Sequence, residues 1–402
     1  MHGREFACIF SISWPPDIRP VNTIKSRATF MNSKERHEAR YQRRKAKRKQ
    51  KETEFIDSLG TFSEVFSYEH LYDSFKQCKK GIRWKASIQA YESNLSINTY
   101  DIWHRLDEDK WKTKGFTKFM LSERGKLRLI QSVHISERCI QRTLCDWYLV
   151  PLLQRSLIYD NGASIQGKGT KFAVDRLKLH LHRHYRRYGN EGYILLYDFT
   201  NYFGSIPHDK LYKLVDPKIT DDRIRKLFHQ LIDAFDEGLG LGSQVSQISA
   251  VYFANTLDHL FKDQMGIKGY ARFMDDGYII SDSLEELKKC EQVLYEECGK
   301  LGIIINPKKI RICKLSHGFT FLKKRYTLDK SGKITIRMTK KAFKAVKRRL
   351  KRMYEKKLPY KTVYNSYMSW RGSTKEYKCY RSVQNIDRYY NRLFVDEERR
   401  NA

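Results

Sequence analysis

The sequence predicts an α+β fold, and three observations carry that prediction. Short apolar runs rich in β-formers end at acidic residues, as in YILLYD (193–198) and YARFMDDGYII (270–280). Amphipathic helical stretches alternate with these runs, a pattern that builds mixed layers of helix and sheet. Apolar residues make up 41% of the 402 residues, enough for a sizeable core and for two or three domains or lobes.

Charge narrows the partners. Lys plus Arg number 78 against 46 Asp plus Glu, a formal net charge of +32. An excess of this size points to a polyanion, foremost nucleic acid. No run approaches the ~18–20 apolar residues of a membrane span, and the N-terminus lacks a signal-peptide layout, so no membrane partner is expected. The eight cysteines are scattered without a C-x-x-C pair, which argues against zinc knuckles and disulfide frameworks and fits a reducing cytoplasm.

The elements follow in order. Residues 1–30 carry few charges and a Trp14-Pro15-Pro16 break, and read as an N-terminal arm. Ten Lys/Arg lie between Lys34 and Lys51 with no Gly or Pro, which predicts a basic helix within a helical extension over 31–115. FTKFMLSERGKLRLIQSVHI alternates around Glu123-Arg124-Gly125 and predicts a β-hairpin. SERCIQRTLCDWYLVPLLQ predicts a helix with Ile140, Leu144 and Trp147 on one face. The stretch KFAVDRLKLHLHRHYRR predicts a basic helix, and alternate residues of its His180, His182 and His184 run lie on different faces, which disfavours a three-point metal site. A strand at 193–199, a helix at DDRIRKLFHQLIDAF and a longer helix after the GLGLGSQ loop lead to the Asp-Asp hairpin. Beyond it come the helix SLEELKKCEQVLYEECGKLG and strands through IIINPKKIRICK and GFTFLKKRYTL. The basic helix 340–357 carries an apolar stripe of Phe343, Val346, Leu350 and Met353.

The carboxylates suggest chemistry. Asp198 ends one apolar strand, and Asp275 and Asp276 sit at the turn between two others. If these strands are neighbours, three hard oxygen ligands converge at one rim, which suits Mg²⁺. Two such ions ~3.5–4 Å apart can activate a 3′-hydroxyl and stabilise a leaving pyrophosphate. A solvated Asp-Asp-Gly turn, with Asp198 as a helix cap, is the alternative.

Several blocks then match one family in order. YARFMDDGYII resembles the Y/F-x-D-D box of reverse transcriptases. YILLYDFTNYFGSI resembles their first catalytic block. GLGLGSQVSQISAVYFANTLDHLF resembles the Gly-rich template-and-nucleotide loop with its helix. KLRLIQSVHISERCIQRTL and NGASIQGKGTKFAVDRL resemble the two bacterial fingers blocks, while NPKKIRI and GFTFLKKRY resemble the later palm block and the primer grip. Group II intron and retron enzymes carry Gln-Gly in the loop and Ser-Pro after it; the matching positions here are Leu241-Gly242 and Ser246-Gln247. The Ser-Gln ending is similar to diversity-generating retroelement enzymes and to domesticated bacterial groups, several of which act in defence against phage. Ser243 stands where the diversity-generating pattern has Asn, which favours the domesticated, defence-associated class. No RNase H, integrase or Cys/His endonuclease signature follows residue 330.

The resemblance implies a right-hand polymerase of fingers, palm and thumb, with a ferredoxin-like palm sheet and a helical thumb. It implies fingers and palm over 116–335, with the palm core at 190–330, and a basic thumb and tail over 336–402. Asp198, Asp275 and Asp276 would be catalytic and would hold two Mg²⁺ ions, for which Mn²⁺ could substitute, with the Phe199 carbonyl as a further ligand. Phe203 would exclude a 2′-hydroxyl, with Tyr202 the next ring in line. Arg128, with Lys126 or Arg124, would grip the triphosphate. Gly242, Ser243 and Gln244 would let the backbone approach the template and the incoming base. Lys308 or Lys309 could protonate pyrophosphate. Leu322 and Lys323 would form the primer grip. Arg43, Arg44, Lys47 and Arg48, with Lys347 and Arg348, would bind RNA.

The implied function is RNA-directed DNA synthesis from dNTPs on an RNA template, a structured noncoding RNA, with a DNA product and with a homo-oligomer or accessory protein left open. The diversity-generating enzyme, a template-independent nucleotide polymerase and an inactive RNA-binding protein on the same fold are the alternatives.

Overall fold

A computed structural model describes residues 32–123 and 126–395. The arm assigned to residues 1–30 lies outside the described residues, as do Arg124, Gly125 and the side chain of Lys126. Contacts divide the chain after Phe55. The N-terminal side holds all but the last two residues of the basic helix Ser33–Asp57, none of whose residues is buried. It starts at a reciprocal cap: Asn32 Oδ1 accepts from the Glu35 amide (2.8 Å) and Glu35 accepts from the Asn32 amide (2.9 Å), which satisfies two otherwise orphaned donors.

The larger unit begins with short helices. Tyr68–Cys78 and Leu95–Asp107 bury Leu71, Phe75, Ile102 and Leu106. The strands β1 (Phe116–Glu123) and β2 (Lys126–Val133) then form a two-stranded antiparallel hairpin. Next comes a long helix made of Ile135–Leu144, a π-turn at Cys145–Leu149, and Val150–Gln154. The π-turn corrects one expectation. Its extra residue rotates the following face, so Tyr148 and Leu149 turn inward and Trp147 is exposed, stacking on His70 with ring centroids 3.6 Å apart.

The central sheet is four-stranded and antiparallel, in the order β4-β5-β3-β6. Its members are β3 (Tyr193–Asp198), β4 (Tyr270–Phe273), β5 (Asp276–Ser281) and β6 (Arg311–Lys314). Helices join β3 to β4, and Leu284–Leu301 joins β5 to β6, so the chain order is βαββαβ, the ferredoxin-like arrangement. The two-residue period of the strands divides their side chains between two cores. Leu195, Tyr197, Tyr270 and Ile279 face the larger core, which includes Leu287 and Leu294 of the joining helix. Ile194, Leu196, Tyr278 and Ile280 face Val174, Leu177 and Leu181 of the helix Thr170–Tyr188.

That second core also holds a three-stranded sheet of β7 (Phe319–Phe321), β8 (Lys324–Leu328) and β9 (Ile334–Met338). Strand β9 was not among the expected elements; its KITIRM alternation is its only local signal. The helices Lys340–Glu355, Tyr360–Gly372 and Tyr380–Phe394 have a core of their own, with Val346, Leu350, Val363, Trp370 and Ile386. In the first of these helices Val346 and Leu350 are buried, while Phe343 and Met353 are packed at the margin.

Candidate active site

The register of the central sheet sets the site. Asp198, the last residue of β3, pairs directly with Asp276, the first of β5. Phe273 pairs with Asp276, so Met274 and Asp275 form the tip of a two-residue hairpin loop. Met274 takes the left-handed conformation (φ 58°), which is strained for a residue with a side chain. The Asp275 carbonyl accepts from the Phe199 amide (3.2 Å) and that of Asp198 from the Asn306 amide (2.8 Å). Three carboxylates thus share one rim, with the Phe199 backbone beside them. The Phe199 ring is buried among core aromatics.

Like charges dominate this rim. Burial, then the charge of Asp275 and the hydrogen-bonded Asp198, push the Asp276 carboxyl up to about 7. Asp275 is also raised, by burial and then by Asp198, while Lys309 and Arg128 act in the opposite direction. The Lys309 ammonium forms an ion pair with Asp198. Among the described residues no group of three His, Cys, Asp or Glu side chains could hold a metal ion as it stands. The donor set nevertheless fits a hard divalent cation: all oxygen, on rigid strands, and mutually repelling until a cation is shared.

Other expected residues fall at varying places. Arg128 is exposed on β2, opposite Leu121, and its charge reaches Asp275. Gly242 has φ 119°, and a Cβ there would lie 3.1 Å from the Gln131 carbonyl. The Leu241 carbonyl accepts from the Gln131 amide (3.1 Å), so the Gly-rich loop rests against the hairpin. Ser243 is buried, and its hydroxyl caps the helix Gln244–Phe253 by accepting from the Ser246 amide. Gln244 donates to Asp146 (2.9 Å). Phe203 is half-buried in a 3₁₀ turn. Tyr202 is buried and donates its hydroxyl to the Ala250 carbonyl (2.6 Å), so it belongs to the core. Lys308 and Lys309 are both exposed, and Lys309 reaches Asp198. Leu322 and Lys323 form the β7–β8 turn with φ 46° and 63°. Both central residues left-handed is the hairpin conformation usually given to Asn-Gly. Lys347 lies over the Tyr389 ring (4.8 Å) and Arg348 is exposed. Arg43, Arg44, Lys47 and Arg48 are exposed on the N-terminal basic helix.

A family model for reverse transcriptase (RNA-dependent DNA polymerase) matches residues 112–326, just over half of the chain. The chain belongs to the reverse transcriptase family. Among solved structures, the chain is similar to apo telomerase from Candida tropicalis truncated from its C-terminal domain, with TM-score 0.44 and 15% identity over 55% of this chain and 54% of that one. It is also similar to telomerase from Candida albicans in complex with a TWJ fragment of telomeric RNA, with TM-score 0.46 and 10% identity over 71% and 61% of the two chains. The chain thus spans about half to three-fifths of those chains. A comparison with curated proteins found no match. Among the described residues no helix is long and apolar enough to cross a membrane.

Sequence reasoning missed the buried support of the acidic turn. Arg272 is fully buried and pairs with Asp258 through two nitrogens (2.7 and 2.6 Å). It also donates to the Met274 carbonyl (2.9 Å) and the Val251 carbonyl (2.9 Å), so it holds the turn that carries Asp275. Tyr270 donates to Asp258 (2.6 Å), and the Tyr197 and Tyr270 hydroxyls lie 3.0 Å apart. The Tyr197 ring fills the space over Gly277, where a Cβ would come within 2.1 Å of it. The available signal was an Arg inside an apolar strand and an Asp inside an apolar helix, since buried charges need partners.

Proposed function

We propose that this chain is an RNA-directed DNA polymerase that extends a primer by two-metal nucleotidyl transfer. The observation that carries the reading is the pairing of Asp198 with Asp276, with Asp275 at the adjoining tip and the charge of Arg128 acting on it. Mg²⁺ ions, or Mn²⁺ in their place, would be held by Asp198, Asp275, Asp276 and the Phe199 carbonyl, and would supply activation of the 3′-hydroxyl and stabilisation of the leaving pyrophosphate.

The protein's own residues position the reactants. Arg128, with Lys126, binds the triphosphate from the β1–β2 hairpin, where a guanidinium suits bidentate phosphate contacts. Gly242 lets the backbone approach the incoming base. Phe203 sits below the sugar and excludes a 2′-hydroxyl. Lys309 is placed to give a proton to pyrophosphate. The Leu322-Lys323 turn holds the primer end. In this reading residues 116–335 are fingers and palm, with the palm core at 190–330, and 336–402 are the thumb, whose Lys347 and Arg348 follow the duplex. We assign the chain to the domesticated bacterial class, with a structured noncoding RNA as template and a role in defence against phage. Sequencing the nucleic acid that co-purifies with it tests that assignment. One discrete noncoding RNA supports it, and a variable-repeat pair supports diversity generation instead.

Asp275→Asn should lower primer extension by about 10²–10³-fold or more, with folding and RNA binding retained. Activity within about tenfold of wild type would refute the reading. Phe203→Val should admit ribonucleotides, measured as the ratio of dNTP to rNTP incorporation. An unchanged ratio removes Phe203 from this role.

A further inference from the structure

The end of the central sheet opposite the carboxylates opens into a cleft of about 840 Å³, within the ~300–1,000 Å³ typical of ligand sites. Strand β5 runs from Asp276 to Ser281, and Ser281 lines the cleft. At ~3.3 Å per residue this puts the cleft some ~17 Å along the strand from the acidic rim. It lies between the last turns of the helix Thr170–Tyr188 and the loop around Gly266 to Gly269.

Its charge is unusual. Arg183, Arg186 and Arg187 line it, and their i, i+3, i+4 spacing puts them on one helix face. Like charges at that spacing disfavour a helix. Among the described residues none of the three meets a carboxylate at ion-pair distance, whereas nearby Lys262 is held by Asp160 (2.6 Å). The exposed Lys268 adds to the three arginines. Two acids also line the cleft: Asp282 is exposed, and Glu286 accepts the Ser281 hydroxyl. Helix-dipole complementarity accounts for cations in a last turn, but not for a cleft facing them. The apolar lining is confined to Ile267 and Ile280, beside the half-exposed ring of Tyr188. Guanidinium groups beside an exposed aromatic ring are what a single strand needs, with phosphates on the cations and a base on the ring.

We propose that this cleft is a second nucleic-acid site, which takes a single-stranded RNA segment by its phosphates and stacks one base on Tyr188. It shares with the polymerase reading only the kind of partner, and it lies at the other end of the sheet from the carboxylates. A strand held here would be anchored while its other part is copied.

The test uses full-length protein with Arg183→Gln, Arg186→Gln and Arg187→Gln, because Gln keeps helix propensity. A fluorescein-labelled single-stranded RNA is titrated across salt concentrations. In parallel, extension is measured on a short primer–template with only a few overhanging nucleotides. RNA binding should weaken about tenfold, and the log–log salt slope should flatten by about 2, near 0.7 per lost phosphate contact on a single strand. Extension of the short substrate should stay within about twofold of wild type. Tyr188→Ala should weaken binding by about fivefold or more with the slope unchanged. Unchanged affinity and slope in a triple variant that melts like wild type would overturn the proposal. Displacement of the RNA by sodium triphosphate at equal phosphate concentration would also overturn it, in favour of a small-anion site. If wild type fails to extend the short substrate while the slope still changes, the polymerase reading falls and this site stands.

Discussion

Asp258 and Asp276 are two acids close to the same strands, and their surroundings are opposite. Asp258 is fully buried yet neutralised: Arg272 meets it with two nitrogens and Tyr270 adds a hydroxyl. Asp276 is less buried, yet its closest charged neighbours include Asp198 and Asp275, and its carboxyl is pushed up to about 7. The chain therefore neutralises a buried acid where the fold needs it and leaves repulsion at the rim. Perturbed carboxylates held in this way by rigid strands are characteristic of sites that handle charge.

The largest test of this contrast removes the neutralised acid. Asp258→Asn leaves the Arg272 guanidinium buried without its anion, and should destabilise the fold by about 3–5 kcal/mol in urea unfolding. A loss below about 1 kcal/mol would mean the pair is dispensable. The crowded acid should behave in the opposite sense. The folded protein keeps the Asp276 proton to a higher pH than the unfolded chain does, so its contribution to stability is present at low pH and lost as pH rises from about 4 through about 7. Asp276→Asn should accordingly be more stable than wild type at pH 8, on the order of 1–3 kcal/mol, and equal to it near pH 4. Melting curves at the two values decide, and a variant no more stable at pH 8 ends the comparison.

The smallest effect uses the cation itself. Mg²⁺ at ten times its Kd should stabilise wild type by about 1.4 kcal/mol at pH 8, and less at pH 5, where protons compete for the same oxygens. The double variant Asp275→Asn, Asp276→Asn should show no Mg²⁺ shift in melting temperature. A shift of equal size in that variant would place the ion elsewhere.

Legibility followed the range of the interaction. The strands that end in Asp198 and begin at Asp276 show their period locally, so the acidic rim could be anticipated from sequence. The Arg272–Asp258 pair joins a strand to the helical segment before it, and local pattern does not encode which buried charges meet. Trp147 was assigned to the wrong face because a π-turn changes the period without any composition signal. The Ser243 hydroxyl caps the helix Gln244–Phe253, a use of Ser that sequence shows only once the helix start is known. Of the two lysines at 308 and 309, only the three-dimensional turn after Asn306 distinguishes the one that reaches Asp198.

At Gly277 the constraint is steric and bears on heredity. The Tyr197 ring occupies the place where any other residue would carry its Cβ, and the Tyr197 hydroxyl continues through Tyr270 to Asp258. A substitution at 277 must lift the ring and so loosen the Asp258 network, although it lies next to the acidic rim in sequence. In a genetic screen for lost activity, changes at 275 and 276 should yield abundant inactive protein, whereas changes at 277 should yield little protein at all. Adjacent codons would then separate chemistry from folding.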